Sequence, residues 1–438
     1  MDLLYQIDPI LLENIFGWNA TEIREEVSRM ASLIDLKDIK TYRSTRKDSF
    51  EKLFYNIAEM LFHQTKEKDM VYEYYDDMPD DMERNVVYIK NEAIADSSYG
   101  EVHTDVYFNY DICVLKIFKD DTQPYFLDNE EKAEDRYYHT TDMFELITQL
   151  YLYQTCQSYV SIPKLIFVRR KEDETHACME FIQYPFLKYV SPSMLLIALA
   201  HLMKALFLLQ KNVQFMHRDL HDENVAYDHQ KRRIHLIDFG MSCVNPSKQP
   251  VAWQANENSF YPMLLNSLTA KCNNPSLDVC TIISCCSNRH DFLKEEHRQM
   301  KLFAKKILNT NKNHIVYKEL KKEDDNQYTW IHKDWQIGNQ LKGNDGPNFW
   351  VYNMGEVPLI RWYPEHMLKR LLPQIPFTEW IHVRKNFSPY FDQITPAVRV
   401  KVSGDKGTIV KCVKNKIRIQ FDKGPTRDIA PSRIVRIS

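Results

Sequence analysis

Apolar residues recur every three or four positions through "NATEIREEVSRMASLI" and again through "SFEKLFYNIAEMLFHQ". That period places them on one face of a helix. Asn19 or Thr21 can cap the first helix, whose opening turn is acidic, and the second starts after Asp48 or Ser49. Residues 1–85 are therefore expected to form a helical N-terminal extension, closed by an acidic, Met/Tyr-rich connector, "EKDMVYEYYDDMPDDME". From about residue 86 the texture changes to that of strands: "NVVYIK", "EVHTDVYFN" and "ICVLKIF", then "KLIFVRR" and "HACMEFI". Helix-like stretches around 128–155 separate the two groups, and past residue 190 helices dominate. Strands followed by helices predict an α+β chain, with a small sheet-rich lobe over about 86–185 and a larger helical lobe over about 186–393.

The longest apolar run, "MLLIALAHLMKALFLLQ" (residues 194–210), is interrupted by His201 and Lys204. A bilayer span takes about 20 largely uninterrupted apolar residues, so a core helix is expected and no membrane span. Residues 394–438 alternate β-branched and basic positions around the turns "SGDKG", "VKNK" and "DKG". Short strands on tight turns predict a small β-barrel.

Composition adds a charge asymmetry. The 438 residues are 44% hydrophobic and 27% charged, ordinary for a soluble protein, and long enough for two or three domains. Net charge is only −3, yet residues 1–95 hold 20 acids against 12 bases, while residues 395–438 hold 11 bases against 3 acids. The basic end suits either solvent or an anionic partner. Nine cysteines follow no recurring spacing, and "MDLLYQIDPILLENIF" lacks a basic start and a small-residue cleavage site. A reducing, intracellular compartment is the expectation. Cys280, Cys285 and Cys286, near Cys272 and His290, fit no zinc spacing well. They are expected to act as small hydrophobes in a helix.

The candidate chemistry concentrates in "MHRDLHDENVAYDHQKRRIHLIDFG", residues 216–240. Asn224 follows Asp219 by five positions, and Asp238 lies 14 further on, beyond two short strands around a polar turn. "HRDLHDEN" followed by "IDFG" resembles the catalytic loop and metal-binding turn of the eukaryotic-type protein kinases. The resemblance covers about residues 86–300 and implies a bilobal kinase-like fold over 86–393, using ATP and Mg2+. By it Asp219 is the catalytic base, Asn224 and Asp238 hold magnesium, and Arg218 pairs with a phosphorylated or acidic activation segment. Lys116, in "VLKIF" 14 residues after Val102, sits where kinases place their phosphate-binding lysine. Its partner is expected to be Glu145 in "MFELITQLYLYQ", one turn before Gln149, with Glu134 as the rival. "CMEFI" resembles the adenine hinge, with Met179 at the back of the pocket and main-chain groups of Glu180 and Ile182 at the base. Asp278 in "LDVCTII" resembles the aspartate that braces the catalytic loop.

The chain also departs from that pattern. Kinases carry G-x-G-x-x-G-x-V over the phosphates; "IADSSYGEV" offers Ala95, Ser97, Gly100 and Val102, keeping only the third glycine. His221 stands two residues after Asp219, where protein Ser/Thr kinases usually carry lysine. The "DLH" it completes also occurs in small-molecule kinases of the aminoglycoside and choline type. His221 can give the transferring phosphate a hydrogen bond whose charge depends on pH. No Ala-Pro-Glu sequence follows "DFG"; Ser242, Ser247, Ser259 and Tyr261 are the phosphoacceptor candidates there. Residues 290–393 and their tryptophans suggest core rather than a ligand cage. The last segment resembles SH3-like or KOW-type barrels, which bind RNA, DNA or peptides, and Phe421 is its only aromatic residue. Together these features imply a Ser/Thr-type protein kinase acting on a protein substrate, similar in texture to kinases of large DNA viruses. A polyanion or virion partner is expected at the barrel, in a host cytoplasm or virion. The alternatives are a pseudokinase scaffold and a small-molecule phosphotransferase.

Overall fold

The computed structural model describes residues 2–32, 57–67, 71–77, 79, 81–90, 95–97, 100–118, 138–217, 219–240, 242, 244, 276–287, 315–318, 329–332, 364–388 and 390–437. It is an α+β structure in two compact units, Met1–Gln183 with Ile237–Lys271 and Tyr184–Leu236 with Cys272–Ser438.

The first unit opens with three short helices: α1 (Asp2–Gln6), α2 (Pro9–Phe16) and α3 (Ala20–Ser32). Asp8 caps α2 by accepting from the Ile10 amide at 2.9 Å, and Pro9 fills the first helical turn, where a missing N–H costs nothing. Gly17 ends the helix at φ 79°; a Cβ there would lie 2.6 Å from the Lys66 Cβ. Of the two caps open in the sequence, Asn19 is the one used for α3. Its Oδ1 accepts from the Thr21 amide, and its Nδ2 donates to Glu22. Residues 57–64 form α4.

The strands that follow are β1 (Val71–Tyr75), β2 (Val86–Lys90), β3 (Ala95–Ser97), β4 (Gly100–Phe108) and β5 (Asp111–Phe118). After them come helix α5 (Tyr138–Cys156) and strands β6 (Leu165–Lys171) and β7 (Glu174–Glu180). The sheet order is β1-β2-β4-β5-β7-β6, with β3 hairpinned onto β4, and only the β1–β2 pair is parallel. One face is apolar: Val87, Ile89, Val106, Cys113, Leu115, Ile117, Phe167 and Cys178 are buried together. On the other face Val102, Lys116 and Ala177 share one cross-strand row.

β1 corrects the reading of residues 67–83 as a plain connector. Val71 and three tyrosines are strong strand formers, and their propensity outweighs the acidic flanks. Tyr72 fixes the strand by hydrogen-bonding His176 Nδ1 at 2.9 Å.

The second unit is built on α6 (Pro192–Val213), of which Ser193–Val213 is long and apolar enough to cross a membrane. Most of that stretch is buried inside the unit. The two polar interruptions face inward: Lys204 donates to the Lys385 carbonyl, and His201 lies 3.8 Å from Glu379. β8 (Val225–Asp228) and β9 (Arg233–Leu236) form a hairpin, followed by α7 (Ser276–Ser287) and a second hairpin, β10 (Ile315–Lys318) with β11 (Thr329–His332). Helices α8 (Pro364–Leu371), α9 (Phe377–Arg384) and α10 (Tyr390–Ile394) complete the helical part. Arg232 grips Glu379 with two hydrogen bonds, 2.8 and 3.1 Å. Burial alone would raise the Glu379 carboxyl, but His201 and Arg232 hold it down at about 2. Trp380 is fully buried and donates to the Leu372 carbonyl at 2.7 Å, a core role as expected for these aromatics.

The C-terminal strands are β12 (Arg399–Val402), β13 (Asp405–Val413), β14 (Lys416–Phe421), β15 (Thr426–Ile429) and β16 (Val435–Arg436). They form an antiparallel sheet, ordered β15-β14-β13-β12-β16, in which β15 and β16 are the edges. Alternation is strict in β12, where Val400 and Val402 are buried and Arg399 and Lys401 exposed. Ile409, Cys412, Ile417, Ile419 and Ile434 complete its apolar face.

Candidate functional site

In the first unit, β5 presents Lys116 because its neighbours Leu115 and Ile117 are drawn to the apolar face, and strand side chains alternate. The ammonium donates to Glu145 Oε1 at 2.8 Å and Oε2 at 3.1 Å, and lies 4.7 Å from the centre of the Phe118 ring. Glu145 projects from α5 with only 6% of its side chain exposed. Burial pushes its carboxyl up to about 7; Lys116 counters this and the charge of Asp238 adds to it. One turn on, Gln149 donates to the Pro163 carbonyl at 2.9 Å and touches Met179 Sδ at 3.8 Å, tying α5 to β7. The rival Glu134 lies outside the described residues.

Asp238 brings a second carboxylate to the same lysine, its Oδ1 3.7 Å from Lys116 Nζ. Its backbone sits at φ 61°, the left-handed region that non-glycine residues enter at a cost of roughly 1–2 kcal/mol. Phe239 is fully buried beneath the turn, and a Cβ at Gly240 would lie 3.1 Å from Glu145 Oε2. The small residue after Phe239 therefore leaves room for the Glu145 carboxylate. Ser242 is fully buried, its amide bonded to the Phe239 carbonyl, which removes it as a phosphoacceptor in this conformation. Ser247, Ser259 and Tyr261 lie outside the described residues.

The loop expected over the phosphates is the β3–β4 hairpin, with Ala95 paired to Val102 and Ser97 to Gly100. Gly100 has a packing reason to be glycine. At φ 149°, a Cβ would come within 1.9 Å of the Ile117 carbonyl oxygen. Gly100→Ala is expected to destabilise the first unit by about 3 kcal/mol or more, since the β4–β5 ladder must part locally. A denaturation midpoint equal to that of the wild type would contradict this close approach. At the expected hinge, the Glu180 amide is already committed to the Lys164 carbonyl at 2.9 Å, leaving its carbonyl as the group to consider. The Ile182 amide has no partner among the described residues.

In the second unit, the segment after α6 is pinned from several sides. The Asp278 carboxylate, in the first turn of α7, accepts from the His217 amide at 2.8 Å. The Asp219 carbonyl accepts from the His221 amide at 3.0 Å and from Asn224 Nδ2 at 2.9 Å. The Asp219 carboxylate keeps 27% exposure, with His221 Nε2 3.8 Å from its Oδ2. His221 Nδ1 accepts from the Glu223 amide at 3.3 Å. An accepting Nδ1 places the imidazole proton on Nε2, the nitrogen nearer Asp219. Arg218 lies outside the described residues.

Among the described residues no group of three or more His, Cys, Asp or Glu gathers as a metal cluster. Cys286 is buried in α7, and burial pushes the neighbouring Cys285 thiol up to about 12. Both suit packing better than metal binding. Asp238 and Asn224 are oxygen donors of the kind magnesium takes together with substrate phosphates and water. The 47% exposure of Asp238 leaves its carboxylate accessible to a cation. Two features of the site carry no sequence signal: the Phe118 ring against Lys116 and the left-handed backbone of Asp238. The chain matches no family model and no curated protein.

Proposed function

We propose that the chain is a bilobal, ATP- and Mg2+-dependent protein kinase that transfers the γ-phosphate to Ser/Thr hydroxyls of proteins. The observation that carries this reading is Lys116 held by buried Glu145, with strained Asp238 3.7 Å away. An acid raised by burial and a strained aspartate both cost stability, and such costs collect at functional sites. In this reading Lys116 steadies the α- and β-phosphates, while Asp238 and Asn224 hold magnesium, which when bound neutralises charge on the phosphates. Asp219 takes the proton of the acceptor hydroxyl. The Nε2–H of His221 is a donor beside it for a phosphate oxygen. The adenine would meet main chain at Glu180 and Ile182, below Met179.

The test is Mg2+- and ATP-dependent transfer by the purified chain, offered generic protein substrates and a panel of amino-alcohols. Phosphoserine or phosphothreonine on protein is expected. Transfer to amino-alcohols alone would move the assignment to a small-molecule phosphotransferase, and absence of nucleotide binding would leave a scaffold.

The C-terminal sheet supports a second role, binding a polyanion through its phosphate backbone. Its register sets Lys401 directly opposite Lys406, and Lys411 opposite Arg418. Like charges facing each other across strands destabilise a sheet by roughly 0.2–1 kcal/mol per pair. Asp428 already offsets this at Arg418, so it is at Lys401 and Lys406 that an anionic partner would relieve it. Asp428 and Asp422 each pair with one arginine, Arg418 and Arg399. Phe421 is buried, so bases have no stacking platform and backbone contacts are the mode left. Binding to duplex DNA should weaken linearly with log salt. Lys401→Glu and Lys411→Glu should each reduce that slope by about 1. A slope unchanged in both variants would remove this role.

A further inference from the structure

The helical extension is built onto the helix that carries Glu145. At the C-terminal end of α5, Gln154 Oε1 accepts from the Asp8 amide at 2.8 Å, and its Nε2 donates to the Gln6 carbonyl at 3.1 Å. Tyr151 OH reaches Gln6 Oε1 at 3.4 Å. At the other end, Thr65 Oγ1 touches Met143 Sδ at 3.9 Å and accepts from Trp18 Nε1 at 3.1 Å. Glu145 lies between these two anchorages. The extension is itself tied down. Arg24 of α3 donates to the Leu4 and Ile7 carbonyls, Arg169 of β6 donates to the Ile15 carbonyl at 2.7 Å, and Lys66 bonds main chain to main chain with Phe16 and Arg170. Leu3, Leu4 and Ile7 are buried on the α1 side of this contact, as are Ile147, Leu150 and Tyr151 on α5.

We infer that residues 2–32 and 57–67 are a built-in clamp whose task is to position α5, so that Gln6, Asp8, Tyr151 and Gln154 are positioning residues for the Lys116–Glu145 pair. The physical need is plain. Burial opposes the charge of Glu145 while two hydrogen bonds from Lys116 retain it, so the pair keeps its place only while α5 keeps its own. Gln154, at the exposed end of α5 but bonded both ways, and the buried apolar seam beside it provide that hold. The catalytic sense of this clamp rests on the proposed kinase reading; its mechanical sense does not.

The experiment is hydrogen–deuterium exchange on the full-length chain, wild type against Leu4→Ala/Gln154→Ala, with nucleotide binding followed as a function of pH. In the double variant, amides of 143–156 are expected to exchange about tenfold faster while β4 and β5 keep wild-type protection. The acid limb of nucleotide binding should shift from near 7 towards the ordinary carboxylate range as Glu145 gains solvent. Wild-type exchange in α5, or acceleration spread evenly over β4 and β5, would overturn the clamp; so would faster α5 exchange with an unmoved acid limb. If the wild type binds no nucleotide, the kinase reading falls, and the exchange pattern still decides the clamp.

Discussion

Asp219→Asn should lower phosphate transfer by about 10²–10⁴-fold while nucleotide binding stays at the wild-type level. The size follows from what a positioned base contributes, and the selectivity follows from the geometry. The Asp219 main chain is held by its carbonyl, which serves His221 and Asn224, so the side chain can change without releasing the loop. Asparagine has the same shape and keeps the loop hydrogen bonds, but its amide cannot take a proton from a hydroxyl. Stopped transfer with retained binding is therefore the signature of a base. Equal losses in binding and turnover would mean that the loop had moved. Turnover surviving the change would remove Asp219 from the mechanism.

The second large effect belongs to Glu145 and separates activity from stability by pH. Burial, opposed by Lys116 and reinforced by Asp238, sets its carboxyl at about 7 against an ordinary 4.5. Below that value the carboxyl carries a proton, and Lys116 loses its closest counter-charge. The remaining carboxylate at 3.7 Å is Asp238, the expected magnesium ligand, which the lysine would then occupy. Transfer should rise through pH 7 with a single-proton slope. Glu145→Gln should flatten that limb and lower transfer by about 10–100-fold, the range expected when a group supporting the site is lost. Stability runs the other way. Between about 4.5 and 7 the folded chain binds the proton that the unfolded chain has released, so this group's contribution falls as pH rises, by on the order of 3 kcal/mol across the window. Activity rising and unfolding midpoint falling over the same pH interval is the expected pair of results. A midpoint indifferent to Glu145→Gln would contradict the burial-raised carboxyl.

The elements legible in the sequence were those whose pattern repeats locally. β2, β4, β5, β6 and β7 fall where the strand-like texture or an apolar run places them, because each buries residues against one core. Lys116 and Glu145 were readable as a pair through the resemblance to the kinase pattern, with the apolar neighbours of the lysine and the amphipathic helix around the acid in support. β1 was hidden because its acidic flanks describe the solvent side of an edge strand, and its pairing with β2 is parallel and non-local. The docking of the extension was hidden for a different reason. Gln6 and Gln154 are polar residues with no period, and their 148-residue separation carries no local signal. The polar interruptions of α6 were visible in the sequence, but their partners were not: Glu379 lies in α9 and Lys385 directly follows it, far along the chain.

The left-handed backbone of Asp238 decides how that residue can be probed at all. Asparagine tolerates such a φ at least as well as aspartate, whereas alanine carries the full steric penalty of its Cβ. Asp238→Asn therefore removes the charge alone. Asp238→Ala removes the charge and also pulls the main chain towards an extended conformation, dragging buried Phe239 with it. A difference in thermal stability between these two variants would measure the backbone strain. Only the asparagine variant reports cleanly on the carboxylate.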